Sequence, residues 1–266
     1  MTRNVGANSA GRVFHILSRY LRSKVGGKST DIWLDTLAIP STGSETRDSI
    51  AVTRYLDAIM RELDVTAKAY KELELPDDLF KSQHNALQHA LQVELLHHPI
   101  GNTKQYLGDT VMLSLRWWSI ILPDDDFAVA GEDMVQLKAQ IDALEDALSK
   151  EGIPPGLRSY ASNLLSDLRA AMLLTVVEGS KPLRSAMRKA VSDAHFEEDN
   201  LKTELAESAE KPEVRSVLST VGAAVKTMAN IVGDTERLSK GYGYLLTKAT
   251  DVGEVIAKAI SSAPGG

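Results

Sequence analysis

The sequence predicts an all-α protein, and three observations support that fold class. Of its 266 residues, 43% are apolar but only 5% are aromatic, whereas strands depend on aromatic and β-branched side chains. Apolar residues recur every three or four positions along most of the chain, which is the helical period. No pair of alternating segments surrounds a tight two-residue turn. We therefore predict a helical bundle of about eight to nine helices with short connections.

In the first half, apolar periodicity is interrupted by glycine, proline and serine. Residues 12–24 form a basic amphipathic helix that ends at Gly26-Gly27, and a short apolar run follows at residues 33–39. A long helix begins near Thr42 or Ser44, and the next one is capped by Pro76-Asp77-Asp78 and runs to about His98. The segment 109–122 is helical by context, although it is strand-like when read alone.

The second half has clearer boundaries. Leu137, Ile141 and Leu144 belong to an a/d seam that lasts two heptads, and the breaker at residues 152–156 follows it. The helices on both sides of this breaker predict an antiparallel hairpin over residues 131–178. Further helices are predicted from Leu183, over residues 214–232 and over about residues 244–260. The proposed division is an N-terminal region 1–122 and a C-terminal region 123–266, or one continuous bundle.

Composition excludes several classes of function. The chain has no cysteine, so disulfides, thiol nucleophiles and cysteine-ligated metals are excluded. It has no secretory h-region and no run of about 18 uncharged apolar residues, so we expect a cytoplasmic protein without a constitutive membrane span. The net charge of −6 argues against a nucleic-acid partner.

The charge is unevenly distributed. Residues 1–30 carry six cations and no acid, whereas residues 123–151 and 193–213 are acidic. The basic arm could dock on one of these acidic faces or on another molecule. An acid-free start also resembles a mitochondrial targeting segment, but a first helix packed on the fold is the preferred interpretation.

The stretch Val25–Asp31 contains Gly27-Lys28-Ser29, the end of a phosphate-binding loop. Such a loop needs a glycine five positions before Gly27, where this chain has Arg22, and it should follow a strand. We therefore predict no nucleotide site here.

No metal or other cofactor is predicted. The four histidines between residues 84 and 98 lack the three-, four- or seven-residue spacing of ligands on one helix face. His195-Phe196-Glu197 lacks the cysteines that a zinc deaminase requires. The acidic cluster 124–126 does not match a calcium loop, and an acidic helix N-terminus explains it.

Two further motifs have structural explanations. Trp117 and Trp118 are either a buried anchor, which is favoured, or an exposed binding hot spot. Gly241-Tyr242-Gly243-Tyr244 shares only its letters with a potassium filter and predicts a flexible turn or hinge.

A pattern of helix-breaking glycines and prolines and of apolar core residues extends from Ile153 to Ala190, in IPPGLRSYASNLLSDLRAAML and VVEGSKPLRSAMRKAV. It resembles uncharacterised all-helical bacterial proteins of conflict or phage-defence loci. The resemblance covers about a seventh of the chain and implies a bacterial origin and an antiviral defence context, but it transfers no site residue.

The leading hypothesis is a non-enzymatic helical subunit that binds a protein partner or itself. The residues expected to carry the interaction are Arg12, Arg19, Arg22, Trp117, Trp118, Leu137, Ile141 and Leu144. The alternative is a membrane-acting effector that uses the basic first helix and the low-charge helices 214–260 for peripheral or triggered membrane contact. An enzyme with a spatially assembled site is the third hypothesis.

Overall fold

The structure, a computed structural model, describes residues 8–125, 129, 131–208 and 211–232. Over these residues the chain forms helices and no β-strand, which confirms the all-α class. The first six helices are α1 (Ser9–Arg22), α2 (Ser29–Leu37), α3 (Glu45–Glu72), α4 (Asp78–Ala90), α5 (Ile100–Lys104) and α6 (Asp109–Ile121). The others are α7 (Gly131–Leu148), α8 (Pro155–Glu178), α9 (Lys181–Phe196), α10 (Glu198–Ser208) and α11 (Pro212–Val232).

The described residues form eleven α-helices, two more than the upper predicted number, and one predicted helix is shorter than expected. The helix expected to reach His98 ends at Ala90, and a 3-10 turn occupies Val93–His97. This turn buries Leu96, whose carbonyl oxygen accepts a 2.8 Å hydrogen bond from the Thr30 hydroxyl. The contact is formed by residues 66 positions apart, so local periodicity could not reveal it.

The chain groups into two compact units. The first comprises residues 1–128 with 176–179, and the second comprises 129–175 with 180–266. The predicted division at residues 122 and 123 stays a prediction. The predicted helix over residues 244–260 and the motif Gly241–Tyr244 lie outside the described residues.

Helix α1 is central to the first unit. It packs against α2, α3 and most extensively α6, and its buried face includes Val13, Ile16 and Leu17. Asn8 caps its N-terminus, because the Asn8 side-chain oxygen accepts a 3.0 Å hydrogen bond from the Gly11 amide. The basic amphipathic helix predicted from the sequence is therefore confirmed as an element. It ends at Arg22 and not at the glycine pair.

The second unit has its own hydrophobic core, to which α7, α8, α9 and α11 contribute most of the side chains. The two helices predicted around the breaker are α7 and α8, and the Arg158 guanidinium donates a 2.5 Å hydrogen bond to the Leu148 carbonyl across their connection. Arg169 also pairs with Glu145 from one helix to the other. The helix that packs most extensively against α7 is nevertheless α11, which is distant in sequence.

Candidate interaction surface on helix α6

Helix α6 has apolar side chains around most of its circumference. Its sequence, DTVMLSLRWWSII, begins with Asp109, which interacts favourably with the N-terminal end of the helix dipole. Leu115, Trp118 and Ser119 form the buried side. A helix that is hydrophobic all round is normally enclosed by other structure. An exposed face on such a helix is therefore a candidate interaction surface.

The exposed face of α6 is a continuous apolar stripe. Leu113, Trp117, Ile120 and Ile121 are 55%, 57%, 41% and 37% exposed, respectively. Their spacing of four, three and one residues places them on the side of the helix opposite Leu115. We call these four residues the α6 stripe. Single exposed apolar side chains are ordinary, but a group of large ones on one face is typical of an interaction site.

The two adjacent tryptophans have different roles. Trp118 is 3% exposed, and its ring lies 4.5 Å from Phe80 and 6.2 Å from Tyr70, measured between centroids. It is the buried anchor that the sequence favoured. Trp117 is 57% exposed and corresponds to the other interpretation, an exposed aromatic of the kind that forms binding hot spots.

His84 completes the aromatic cluster. Its ring stacks on Phe80 with 4.9 Å between centroids, and desolvation by burial lowers the pKa of the imidazole below its ordinary value. A neutral His84 therefore supports the packing beneath Trp118, and the arrangement explains this histidine without a metal.

Arg12 of the basic arm is engaged inside the first unit. Its guanidinium pairs with the buried Glu62 of α3 and, at 2.9 Å, with Asp125, which follows α6. Burial alone would lower the pKa of Arg12, but the charges and hydrogen bonds of Glu62 and Asp125 outweigh it and the pKa is raised. The sequence left two possible partners for the basic arm, an acidic face of its own chain or another molecule. Arg12 contacts an acidic segment of its own chain, at Asp125.

Arg19 and Arg22 are on the exposed side of α1. Neither makes an ion pair within the part of the chain that the structure describes. On α6, Arg116 is also exposed and lies beside the α6 stripe. The exposed side chains of these two neighbouring helices therefore combine large apolar groups with guanidinium groups.

The heptad seam is directed into the second unit. Leu137, Ile141 and Leu144 are 0%, 3% and 0% exposed and pack in its core with Leu164, Leu168 and other residues. A partner could reach these three side chains only if the unit opened. Their a/d spacing is explained by packing within the chain, in particular against α11.

The stretch around Lys28 forms the capped start of α2. The Asp31 carboxylate accepts a 3.2 Å hydrogen bond from the Lys28 amide at this helix N-terminus. The Ser29 hydroxyl is hydrogen-bonded to Tyr20 at 2.6 Å. Gly27 has φ +119°, so it provides a turn before α2 rather than the end of α1.

The histidines are dispersed over different partners. His89 stacks on Tyr106, and His97 lies 3.2 Å from a Glu45 carboxylate oxygen. The side chain of His195 and the whole of Asp126 lie outside the described residues. Among the residues that the structure does describe, no three metal-ligating side chains converge.

Residues 214–232 of the low-charge segment form α11, and Val214, Val217, Ala224 and Met228 of this helix are buried in the second unit. Residues 233–260 lie outside the described part of the chain. Within that part, no helix combines the length and apolar character needed to cross a bilayer.

Comparison with protein-family models, curated proteins and solved structures found no match to this chain.

Sequence reasoning identified Trp117 but missed Leu113, Ile120 and Ile121. The residues at positions 113, 117, 120 and 121 have helical spacing, but the buried residues of the same helix do too. Only the packing of α1 and α4 against α6 shows which of the two apolar faces is left exposed.

Proposed function

We propose that the protein is a non-enzymatic helical interaction subunit that binds its partner through the α6 stripe. The observation that carries this proposal is the 57% exposure of Trp117 among three exposed aliphatic side chains. Full burial of an exposed apolar side chain contributes roughly 1.5–3 kcal/mol, and covering the exposed part of these half-buried side chains contributes about half of that for each. A central tryptophan surrounded by aliphatic side chains is the composition expected of a binding hot spot.

The rigidity of the surrounding structure supports this proposal. Trp118, the next residue, is fixed in the aromatic cluster with Phe80 and Tyr70. Asn8 also donates hydrogen bonds of 3.1 and 3.2 Å to the carbonyl oxygens of Ser119 and Leu122 at the end of α6. A helix held in this way presents its exposed side chains in one geometry, so little conformational entropy is lost on binding.

The resemblance of residues 153–190 to proteins of bacterial conflict and defence loci fits an accessory subunit of that kind. This context is part of the proposal, and it concerns a segment other than the α6 stripe.

Site-specific photo-crosslinking tests the proposed surface. A photo-reactive amino acid replaces Trp117 in one variant and Ile50 in a matched control. Ile50 is 54% exposed on α3, so the two positions are equally accessible. We expect a discrete crosslinked product from position 117 in native cells that position 50 does not give. The mass of the product distinguishes another protein from a second copy of the chain.

A Leu113→Ser change in the crosslinking variant is the second control. Leu113 is 55% exposed, so the change should leave the fold intact while it removes one apolar contact of the α6 stripe. The crosslinked product should then decrease severalfold. Equal products from positions 117 and 50, or no product from position 117, would show that the α6 stripe is not an interaction surface.

A membrane-acting effector is the alternative function, and the same surface gives it specific support. Trp117 with Leu113, Ile120 and Ile121 could enter the interfacial region of a bilayer, while Arg116 contacts anionic headgroups. Flotation of the full chain with anionic vesicles tests this function. Binding that survives high salt and is lost in Trp117→Ser would support it, whereas absence of flotation would exclude spontaneous membrane binding.

A further inference from the structure

His84 belongs to the aromatic cluster that joins α3, α4 and α6. Phe80 is at the centre of this cluster, since its ring centroid lies 4.9 Å from that of His84 and 4.5 Å from that of Trp118. A third ring, that of Tyr70 on α3, lies 4.6 Å from Phe80. Over residues 78–86, Phe80 is the buried side chain among those that the structure describes. The first half of α4 is therefore attached to the first unit mainly through Phe80.

The Nδ1 atom of His84 is buried and has no hydrogen-bond partner among the described residues. A neutral imidazole tolerates this arrangement, because the other ring nitrogen, Nε2, can carry the proton and Nδ1 is then an acceptor. In an imidazolium both nitrogens are donors, so Nδ1–H would be a buried donor without an acceptor. Such a donor is costly to bury, and so is the positive charge. The surroundings of the ring therefore favour its neutral form.

The charged groups around His84 do not offset this cost. Desolvation by burial is the largest effect on the imidazole and lowers its pKa, the Asp64 carboxylate raises the pKa, and Lys71 lowers it further. On the α6 side the cluster contains Trp118, which carries no charge. The Tyr70 phenol, whose pKa is raised most by burial, stays neutral at acidic pH. Protonation of His84 therefore opposes the folded arrangement of the cluster.

We infer that His84 is an acid-sensitive switch of the contact between α4 and α6. Protonation of the imidazole separates its ring from Phe80, and Phe80 then loses its fixed position against Trp118. Because Trp118 is adjacent to Trp117, the α6 stripe loses the rigid support beneath it. The consequence for binding rests on the proposed function, whereas the change in the contact between the two helices does not.

The direction of the pH dependence follows from the chemistry of the imidazole. A histidine whose pKa is lower in the folded state than in the unfolded state contributes stability above the unfolded pKa of about 6.5. This stability is lost as the pH falls below that value. His89 provides a matched control on the same helix, because it is exposed and stacks on Tyr106 instead of a member of the cluster.

Hydrogen exchange of the intact chain, read by mass spectrometry, tests the switch. Exchange is measured at about pH 7.5 and about pH 5, on either side of the unfolded pKa, and corrected for the intrinsic effect of pH on amide exchange. We expect the corrected exchange of α4 and α6 to rise severalfold at the lower pH, and that of α9 in the second unit to change little. His84→Phe keeps an aromatic ring that cannot be protonated, so it should abolish the rise. His89→Phe should retain it.

A titration of the wild type provides a test that does not depend on any variant being folded. The chain has six histidines, and nuclear magnetic resonance of the imidazole carbons follows the protonation of each. We expect one of them to titrate clearly below about 6.5. Titration of all six at or above that value would overturn the switch.

The remaining outcomes separate the switch from the proposed function. No rise in exchange, or a rise that is as large in His84→Phe as in the wild type, would overturn the switch. Crosslinking from position 117 at neutral pH decides the proposed function independently. A crosslinked product that decreases at acidic pH in the His84 protein but not in His84→Phe would support control of the α6 stripe, and an equal product at both pH values would refute that control.

Discussion

Arg12 and Arg19 are two arginines of one helix with opposite environments. Arg12 is 9% exposed and pairs with Glu62 and Asp125, whereas Arg19 is exposed. Removing one partner of a buried ion pair costs about 3–5 kcal/mol, because the other charge keeps its desolvation penalty. At an exposed position, the corresponding change costs about 0.5 kcal/mol or less.

We therefore expect Arg12→Met to lower the free energy of unfolding by about 3 kcal/mol or more, and Arg19→Met to leave it nearly unchanged. Urea denaturation of both variants measures the difference. Adding Glu62→Gln to Arg12→Met should recover part of the loss, because the buried carboxylate charge is then removed as well. Equal stabilities of Arg12→Met and Arg19→Met would show that the buried pair does not hold α1 to α3.

Tyr160 provides a prediction about pH. Burial, with the charges of Asp193 and Glu197, raises the pKa of its phenol to about 12, and its hydroxyl donates a 3.3 Å hydrogen bond to the Ala190 carbonyl. Folding therefore favours the protonated form. The contribution of Tyr160 to stability is complete below the unfolded pKa of about 10 and is lost as the pH rises from about 10 to about 12.

We expect the difference in tyrosinate absorbance between the wild type and Tyr160→Phe to appear only above about pH 11. The unfolding free energy of the wild type should also fall more steeply than that of Tyr160→Phe between about pH 10 and 12. An ordinary titration near pH 10 in the folded protein would contradict the burial of this phenol.

At the scale of elements, the start of α8 depends on a residue of α10. The Glu204 carboxylate accepts hydrogen bonds of 2.9 and 3.0 Å from the amides of Gly156 and Leu157. Amides in the first turn of a helix have no partner within the helix, and a carboxylate there also interacts favourably with the helix dipole. Glu204 therefore connects two helices by capping one of them.

Glu204→Ala should cost about 1–2 kcal/mol of stability, and Glu204→Gln should cost less, since the amide oxygen remains an acceptor. Glu151→Ala is the control, because Glu151 is exposed in the connection before α8. Thermal unfolding measures all three variants. At Gly156, a Cβ would lie 2.8 Å from a Glu204 oxygen, so Gly156→Ala should resemble Glu204→Ala. Equal stability of Glu204→Ala and Glu151→Ala would refute the cap.

The sequence predicts best those helices whose ends are determined by neighbouring residues in the chain. The helical period and the punctuation at residues 152–156 place α7 and α8 correctly. The sequence fails where a distant contact decides the structure, as when Thr30 binds the Leu96 carbonyl or Glu204 caps α8. It also assigns Leu137 and Trp117 to the same class of surface, although the first is a core residue and the second is exposed. Periodicity shows that a helix has an apolar face, but only tertiary packing shows what covers it.

At the scale of the whole molecule, the tryptophans report on only one of the two units. Trp33, Trp117 and Trp118 are all in the first unit, and the seam residue Leu144 is fully buried in the core of the second. Tryptophan emission therefore follows unfolding of the first unit, while far-ultraviolet circular dichroism follows the helices of both. Replacing a buried leucine by alanine costs about 2–5 kcal/mol.

Leu144→Ala should therefore shift part of the circular-dichroism transition to lower denaturant and leave the tryptophan transition in place, because each unit has a core of its own. The matched variant Leu17→Ala removes a buried leucine of the first unit and should shift the tryptophan transition instead. If Leu144→Ala shifts both signals together, the chain unfolds as one cooperative structure. Association through a leucine seam would make the denaturation midpoint of the wild type depend on protein concentration. Because Leu144 is buried within its own unit, we expect the midpoint of the second unit's circular-dichroism transition to be independent of protein concentration.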